Sequence, residues 1–174
     1  INIENHKYPS IGALDFKGVP IEVGESPDID AYLEIKKMME RKEYEAVPSE
    51  VKDVLSKYPE SLFRSDLGYF EIKAIYETGE KADRETLVDI AKAWIKENPT
   101  ETAVPEVLTI IADTYAHMGF YEDAQYFFDR IFFEYADSPY DEIAKIKLGD
   151  SFIRRENGEK AYILYNQALF ETKE

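Results

Sequence analysis

The chain reads as an all-α protein, an α-solenoid of about four helix hairpins preceded by a short extended or β-hairpin segment. Three observations carry that reading. Pro59, Pro99 and Pro139 stand 40 residues apart, and each follows a stretch whose apolar residues recur with the period of two amphipathic helices. That interval suits a two-helix repeat, a unit that buries its apolar face only by stacking on its neighbours. Finally, the members of each pair are divided by residues suited to a left-handed helix end, among them Gly79, Gly119 and the Asn157-Gly158 dipeptide.

Residues 1–28 stand apart from the rest. Pro9, Gly12, Gly18, Pro20, Gly24 and Pro27 punctuate them, and no helical period survives. Leu14 and Phe16 alternate with polar neighbours, and after Lys17-Gly18 so do Val19, Ile21 and Val23, which predicts a small hairpin or an extended arm. Two strands this short need something to pack on, so a strap on the first helices or the end of a preceding domain is expected in preference to an arm in a binding groove.

Residues 29–174 divide into repeats of approximately 29–60, 61–100, 105–138 and 139–174. In the first, a helix begins at Ser26-Pro27-Asp28 and runs to about Arg41; after the turn at Lys42-Glu43 a second ends near Tyr58, with Pro48 in its first turn where the missing N–H costs little. The second pair is expected over 61–77 and 83–97. The third is expected over 105–118 and 121–135, split by Gly119. The fourth is expected over 139–155 and 159–173, split by Asn157-Gly158.

Composition excludes several classes of function. Lys and Arg number 21 against 36 Asp and Glu, a net charge of −15, so a phosphate backbone would be repelled and nucleic acid is not an expected partner. With no cysteine there is no disulfide, thiolate nucleophile or zinc-thiolate site. No apolar run approaches the roughly 18 residues of a membrane span. The chain begins at Ile1 and stops at Glu174 within a helical pattern, which reads as a piece of a longer protein.

The last two pairs resemble the tetratricopeptide repeat family. Leu108, Ile111, Ala112 and Tyr115 occupy its first-helix positions, Gly119-Phe120-Tyr121 its turn, and Ala124 and Phe128 its second helix; Leu148, Gly149, Phe152, Ala161, Tyr165, Ala168 and Leu169 follow in the next repeat. Ala112 and Gly149, Tyr115 and Phe152, Ala124 and Ala161, and Phe128 and Tyr165 all stand 37 residues apart. Small residues let the helices approach, and the aromatic ones are expected to fill the adjacent holes between repeats. The first pair matches more loosely, through Ile35, Met38, Tyr44, Val47, Val51, Val54 and Leu55; in the second, no small first-helix position stands out. The resemblance implies a right-handed solenoid. The junction Phe133-Glu134-Tyr135-Ala136-Asp137-Ser138-Pro139-Tyr140, with Ala144 after it and an echo at Tyr58-Pro59-Glu60-Ser61, looks like that of bacterial cell-envelope repeat proteins of the outer-membrane assembly and Tol-Pal-associated types. Ala136 stands where those have proline, and the lipidated cysteine of the assembly lipoproteins is missing.

Little in the chain suggests catalysis. His6 and His117 are its only histidines, and Asp113 with His117, four apart on a helix, makes at most half a metal site. Glu77-Thr78-Gly79-Glu80-Lys81 lacks the glycine spacing of a phosphate loop. No carboxylate pair is singled out for acid–base work. No enzyme activity, cofactor or metal is therefore expected. The aromatic residues Phe127, Phe128, Phe132, Phe133 and Tyr135 crowd one helix and are expected to pack in the core, with a partner-facing role for some as the alternative.

The resemblance also implies that first helices line a concave groove. On this chain the groove positions are Tyr32, Lys36 and Met39, then Thr109, Asp113, Ala116 and His117, then Ile146, Asp150, Ile153 and Arg154. They lack the clustered cations that would hold an acidic peptide tail, so the expected partner is an extended or amphipathic protein segment with some basic character. The function that follows is a non-enzymatic scaffold or adaptor in the bacterial periplasm or cell envelope, within a complex that itself meets the membrane. The alternatives are a structural part of a flagellar motor or secretion machine, or a regulatory or substrate-positioning module of an enzyme whose catalytic domain lies elsewhere.

Overall fold

The computed structural model describes residues 27–79 and 83–170, and among them it is all-helical, with eight α-helices and no strand. These are α1 (Pro27–Glu40), α2 (Val47–Lys57), α3 (Arg64–Thr78), α4 (Arg84–Glu97), α5 (Val104–Met118), α6 (Tyr121–Glu134), α7 (Pro139–Arg154) and α8 (Gly158–Phe170). The expected hairpin or arm of residues 1–28 lies, apart from its last two residues, outside those described.

One motif makes the hairpins. At the ends of α1, α5 and α7 a residue in the left-handed region lets two backbone amides reach back over the last turn: Glu43 N to Met38 O, Phe120 N to Tyr115 O and Asn157 N to Phe152 O, each enclosing a second bond that spans three residues. The left-handed residues are Lys42, Gly79, Gly119 and Glu156, one for each hairpin. In the fourth hairpin this corrects the expectation from Asn157-Gly158. Asn157 instead accepts the amide of Lys160 through Oδ1 at 3.3 Å, which caps the start of α8, and Glu156 is left to take the unfavourable dihedral.

Those four residues also replace the proline ladder as the measure of the repeat. They are separated by 37, 40 and 37 residues. Pro59 and Pro99 lie in loops after α2 and α4, whereas Pro139 opens α7, so the third proline is not equivalent to the first two. Their equal spacing combines a true repeat with a loop-length difference. α3 also starts later than expected, because Ser61 is used in a turn: its hydroxyl donates to Asp28 of α1 at 3.0 Å and accepts the amide of Phe63 at 3.2 Å.

Each helix packs on the next, and the first helices α1, α3, α5 and α7 also pack on one another in succession. The apolar interior falls into two clusters. One gathers Ile35, Val47, Val51, Val54, Leu67 and Ala74 from α1–α3; the larger runs from Ile72 of α3 to Leu148 of α7. A small residue meets a large one within the fourth hairpin, rather than between repeats as expected: an added Cβ on Gly149 would stand 2.5 Å from the Tyr165 ring. The second pair has the same device in Gly68, whose missing Cβ leaves room for the indole of Trp94. Of the α6 aromatics, Phe127 and Phe128 are buried and Phe132 and Tyr135 half-buried against the core, while Phe133 stands in solvent.

Candidate functional site

The face shared by α3, α5 and α7 carries polar side chains in a seven-residue register. Tyr69, Lys73 and Tyr76 lie on one side of α3, since positions four and seven apart share a helix face. Glu106 and Asp113 do the same on α5, and Tyr140 and Lys147 on α7. Packing of the three helices brings each α5 carboxylate between its neighbours.

The first carboxylate, in the opening turn of α5, binds three groups. Tyr69 Oη donates to Glu106 Oε2 at 2.7 Å, Tyr140 Oη to the same oxygen at 2.6 Å, and Lys73 Nζ to Oε1 at 2.7 Å. Burial raises the pKa of Glu106, but the hydrogen bonds from Lys73, Tyr140 and Tyr69 outweigh it and hold the carboxyl below its ordinary value. The partners move the other way. Burial, then the bond to Glu106, pushes Tyr69 up to about 12.

Two turns along, Asp113 forms a second knot. Tyr76 Oη donates to Oδ2 at 2.6 Å and Lys147 Nζ to the same oxygen at 3.1 Å, while Lys147 also reaches Tyr76 Oη at 2.9 Å. Asp113 is only 1% exposed, and its Oδ1 has no hydrogen-bond partner among the described residues. Burial followed by the Asp113 bond pushes Tyr76 up to about 12. Burial lowers Lys147, but Tyr76 and Asp113 outweigh it and keep the ammonium above its usual value.

His117 extends this knot toward solvent. Its Nε2 stands 3.0 Å from Arg154 Nη2 and 3.6 Å from Asp113 Oδ2. An arginine only donates, so in this contact His117 Nε2 is the acceptor. Burial lowers the His117 pKa; Asp113 opposes this, and Arg154, Arg84 and Lys147 reinforce it. A cavity of about 480 Å³ opens beside these groups, bordered by Tyr76, Arg84, Asp113, His117 and Lys147. Among the described residues no group of three His, Cys, Asp or Glu side chains is placed to hold a metal ion. The two knots fix the rotation and spacing of three helices, and each carboxylate is engaged by neutral or cationic donors.

The anticipated groove positions separate into surface and interior. Lys36, Ile146, Ile153 and Arg154 are exposed, and His117 is exposed at its edge. Met39 is half-buried against the first apolar cluster, and Tyr32 stacks on Phe63 with ring centroids 4.3 Å apart. Asp150 is half-buried and accepts Tyr165 Oη at 2.7 Å. Thr109, Asp113 and Ala116 are buried, and the Thr109 hydroxyl is spent on the Pro105 carbonyl at 2.8 Å. Those three support the face without forming its surface. Sequence reasoning missed Tyr69, Lys73, Tyr76, Glu106, Tyr140 and Lys147. Their signal was the shared spacing of seven, hidden because it links polar residues on three different helices.

No family model and no curated protein matches the chain. The described residues therefore define it by architecture: an all-α, repeat-like protein in which α3, α5 and α7 are tied together by two carboxylate-centred knots. No helix among them is long and apolar enough to cross a membrane.

Proposed function

We propose that this chain is a non-enzymatic protein-binding scaffold, a right-handed tetratricopeptide-type solenoid working in a bacterial cell-envelope complex. The observation that carries the proposal is the tied face of α3, α5 and α7, with exposed Ile146, Ile153 and Arg154 along its α7 edge. A face whose helices are already locked loses little conformational freedom on binding, which favours recognition of an extended or amphipathic segment. The net charge of −15 favours approach by a segment with basic character. The envelope setting rests on the resemblance of the junction before Pro139. There Ser138 bonds back to the Tyr135 carbonyl at 2.7 Å and Tyr140 reaches across to Glu106.

A second reading, a structural part of a flagellar motor or secretion machine, is favoured by the exposed apolar residues of α8, Tyr162 and Leu169 among them. Affinity capture from solubilised envelopes and from cytosol, comparing the wild type with a Lys36→Glu, Ile146→Glu, Ile153→Glu variant, tests the main proposal. An envelope protein retained by the wild type and lost by the variant is the expected result. Equal capture by both moves the interface off this face, and a specific partner found only in cytosol overturns the envelope assignment.

A further inference from the structure

A second surface lies on the second helices of the last two hairpins, α6 and α8. On α6 the positions Glu122, Tyr126, Asp129 and Phe133 fall four, seven and eleven residues along one side. Moving each by the 37 residues that separate buried Ala124 from buried Ala161 gives Glu159, Ile163, Asn166 and Phe170 on α8. The two stripes have the same order: an acid, a large apolar residue, a polar acceptor, a phenylalanine. Their apolar members are strongly exposed, with Phe133 at 91%, Phe170 at 75%, Tyr126 at 60% and Ile163 at 49%. Chance exposure of single side chains is common, but repetition at equivalent positions of two units is a pattern. On α4 a shift of 37 sets buried Leu87 on Ala124 and Trp94 on Ile131, the three extra residues of that repeat falling between α3 and α4, and the matching positions Glu85, Asp89, Lys92 and Lys96 are all exposed and all charged.

We propose that each of these stripes, on α6 and again on α8, is a docking surface for a basic amphipathic helix of a partner protein. Tyr126 and Phe133 stand seven apart, as do Ile163 and Phe170, the separation of side chains on one face of a helix two turns long. A partner helix with apolar residues at that spacing presents anchors to either stripe. Its lysines and arginines then meet Glu122 and Glu159 at the head of each stripe and Asp129 between the α6 anchors; Asp129 is steadied by Gln125 Nε2 at 2.7 Å. A second copy of this chain is a poor occupant, because an isologous contact would set these acids against each other in molecules that each carry −15. The surface is separate from the α7 edge named above, and neither depends on the other.

The test uses a fluorescein-labelled 18-residue helical peptide of leucine and lysine with one apolar face, read by anisotropy, with amide chemical shifts locating the contact. Controls are the same peptide with glutamate for lysine and a scrambled peptide that disperses the leucines. The expected result is shift changes on α6 and α8, and a Kd raised at least tenfold by Phe133→Ser with Phe170→Ser but unchanged by Ile146→Ser with Ile153→Ser. Both positions are solvent-exposed, so circular dichroism of the variant should match the wild type. No binding, equal binding of either control, or loss only in the Ile146/Ile153 variant overturns the proposal. Self-association in sedimentation that disappears in the Phe133/Phe170 variant overturns it in favour of a second copy.

Discussion

Glu106 and Asp113 place two carboxylates where three helices meet, and the charge state of each knot ties stability to pH. The folded state holds the Glu106 pKa below its ordinary value, so its contribution is present above the unfolded value, about 4.3, and is lost as pH falls through the lower folded one. Tyr69 and Tyr76 act in the opposite sense. Their folded values near 12 exceed the unfolded value of about 10, so their contribution is complete below pH 10 and disappears as pH rises toward 12. Urea midpoints should therefore fall at both ends of the range. Glu106→Gln should flatten the acid limb and lower stability near neutrality by about 2 kcal/mol, since Lys73 then loses its carboxylate while half-buried. An acid limb unchanged in that variant would show that the Glu106 knot is not what responds to acid.

Among the helices and their ends, the notable cost sits in two of the four hairpins. Gly79 and Gly119 take the left-handed dihedral freely, whereas Lys42 and Glu156 carry a Cβ there, with φ of 61° and 57°. Replacing either with glycine removes that clash but gives the unfolded chain more freedom, so the net gain should be about 0.5 kcal/mol each. Thermal melts of Lys42→Gly, Glu156→Gly and the double variant measure it, and near-additivity is expected because the sites are in separate hairpins. A loss of stability in Glu156→Gly would mean that the glutamate side chain contributes more than its backbone dihedral costs.

Across the chain, the apolar interior is two clusters joined through α3, where Leu67 and Ala74 belong to one and Ile72 to the other. Stacked repeats exchange stability mainly with their neighbours, so α1 and α2, which pack on the smaller cluster and take part in neither knot, should open before the rest. Native-state hydrogen exchange is expected to show lower opening free energies for amides of α1 and α2 than for α5, which is buried along most of its length. Equal values throughout would indicate a single cooperative unit. The order of residues along the chain is enough for eight helices in four pairs and for Gly149 as a position that must stay small. All of these follow from local periodicity, capping chemistry and a spacing repeated within one stretch. What required the folded chain was the joining of Tyr69 and Tyr76 to Glu106 and Asp113, the burial of Thr109 and the exposure of Phe133. Whether a side chain near the edge of a helical stripe faces a neighbour or water depends on the rotation of one helix against the next, and that rotation is set by packing between elements rather than by the residues within either.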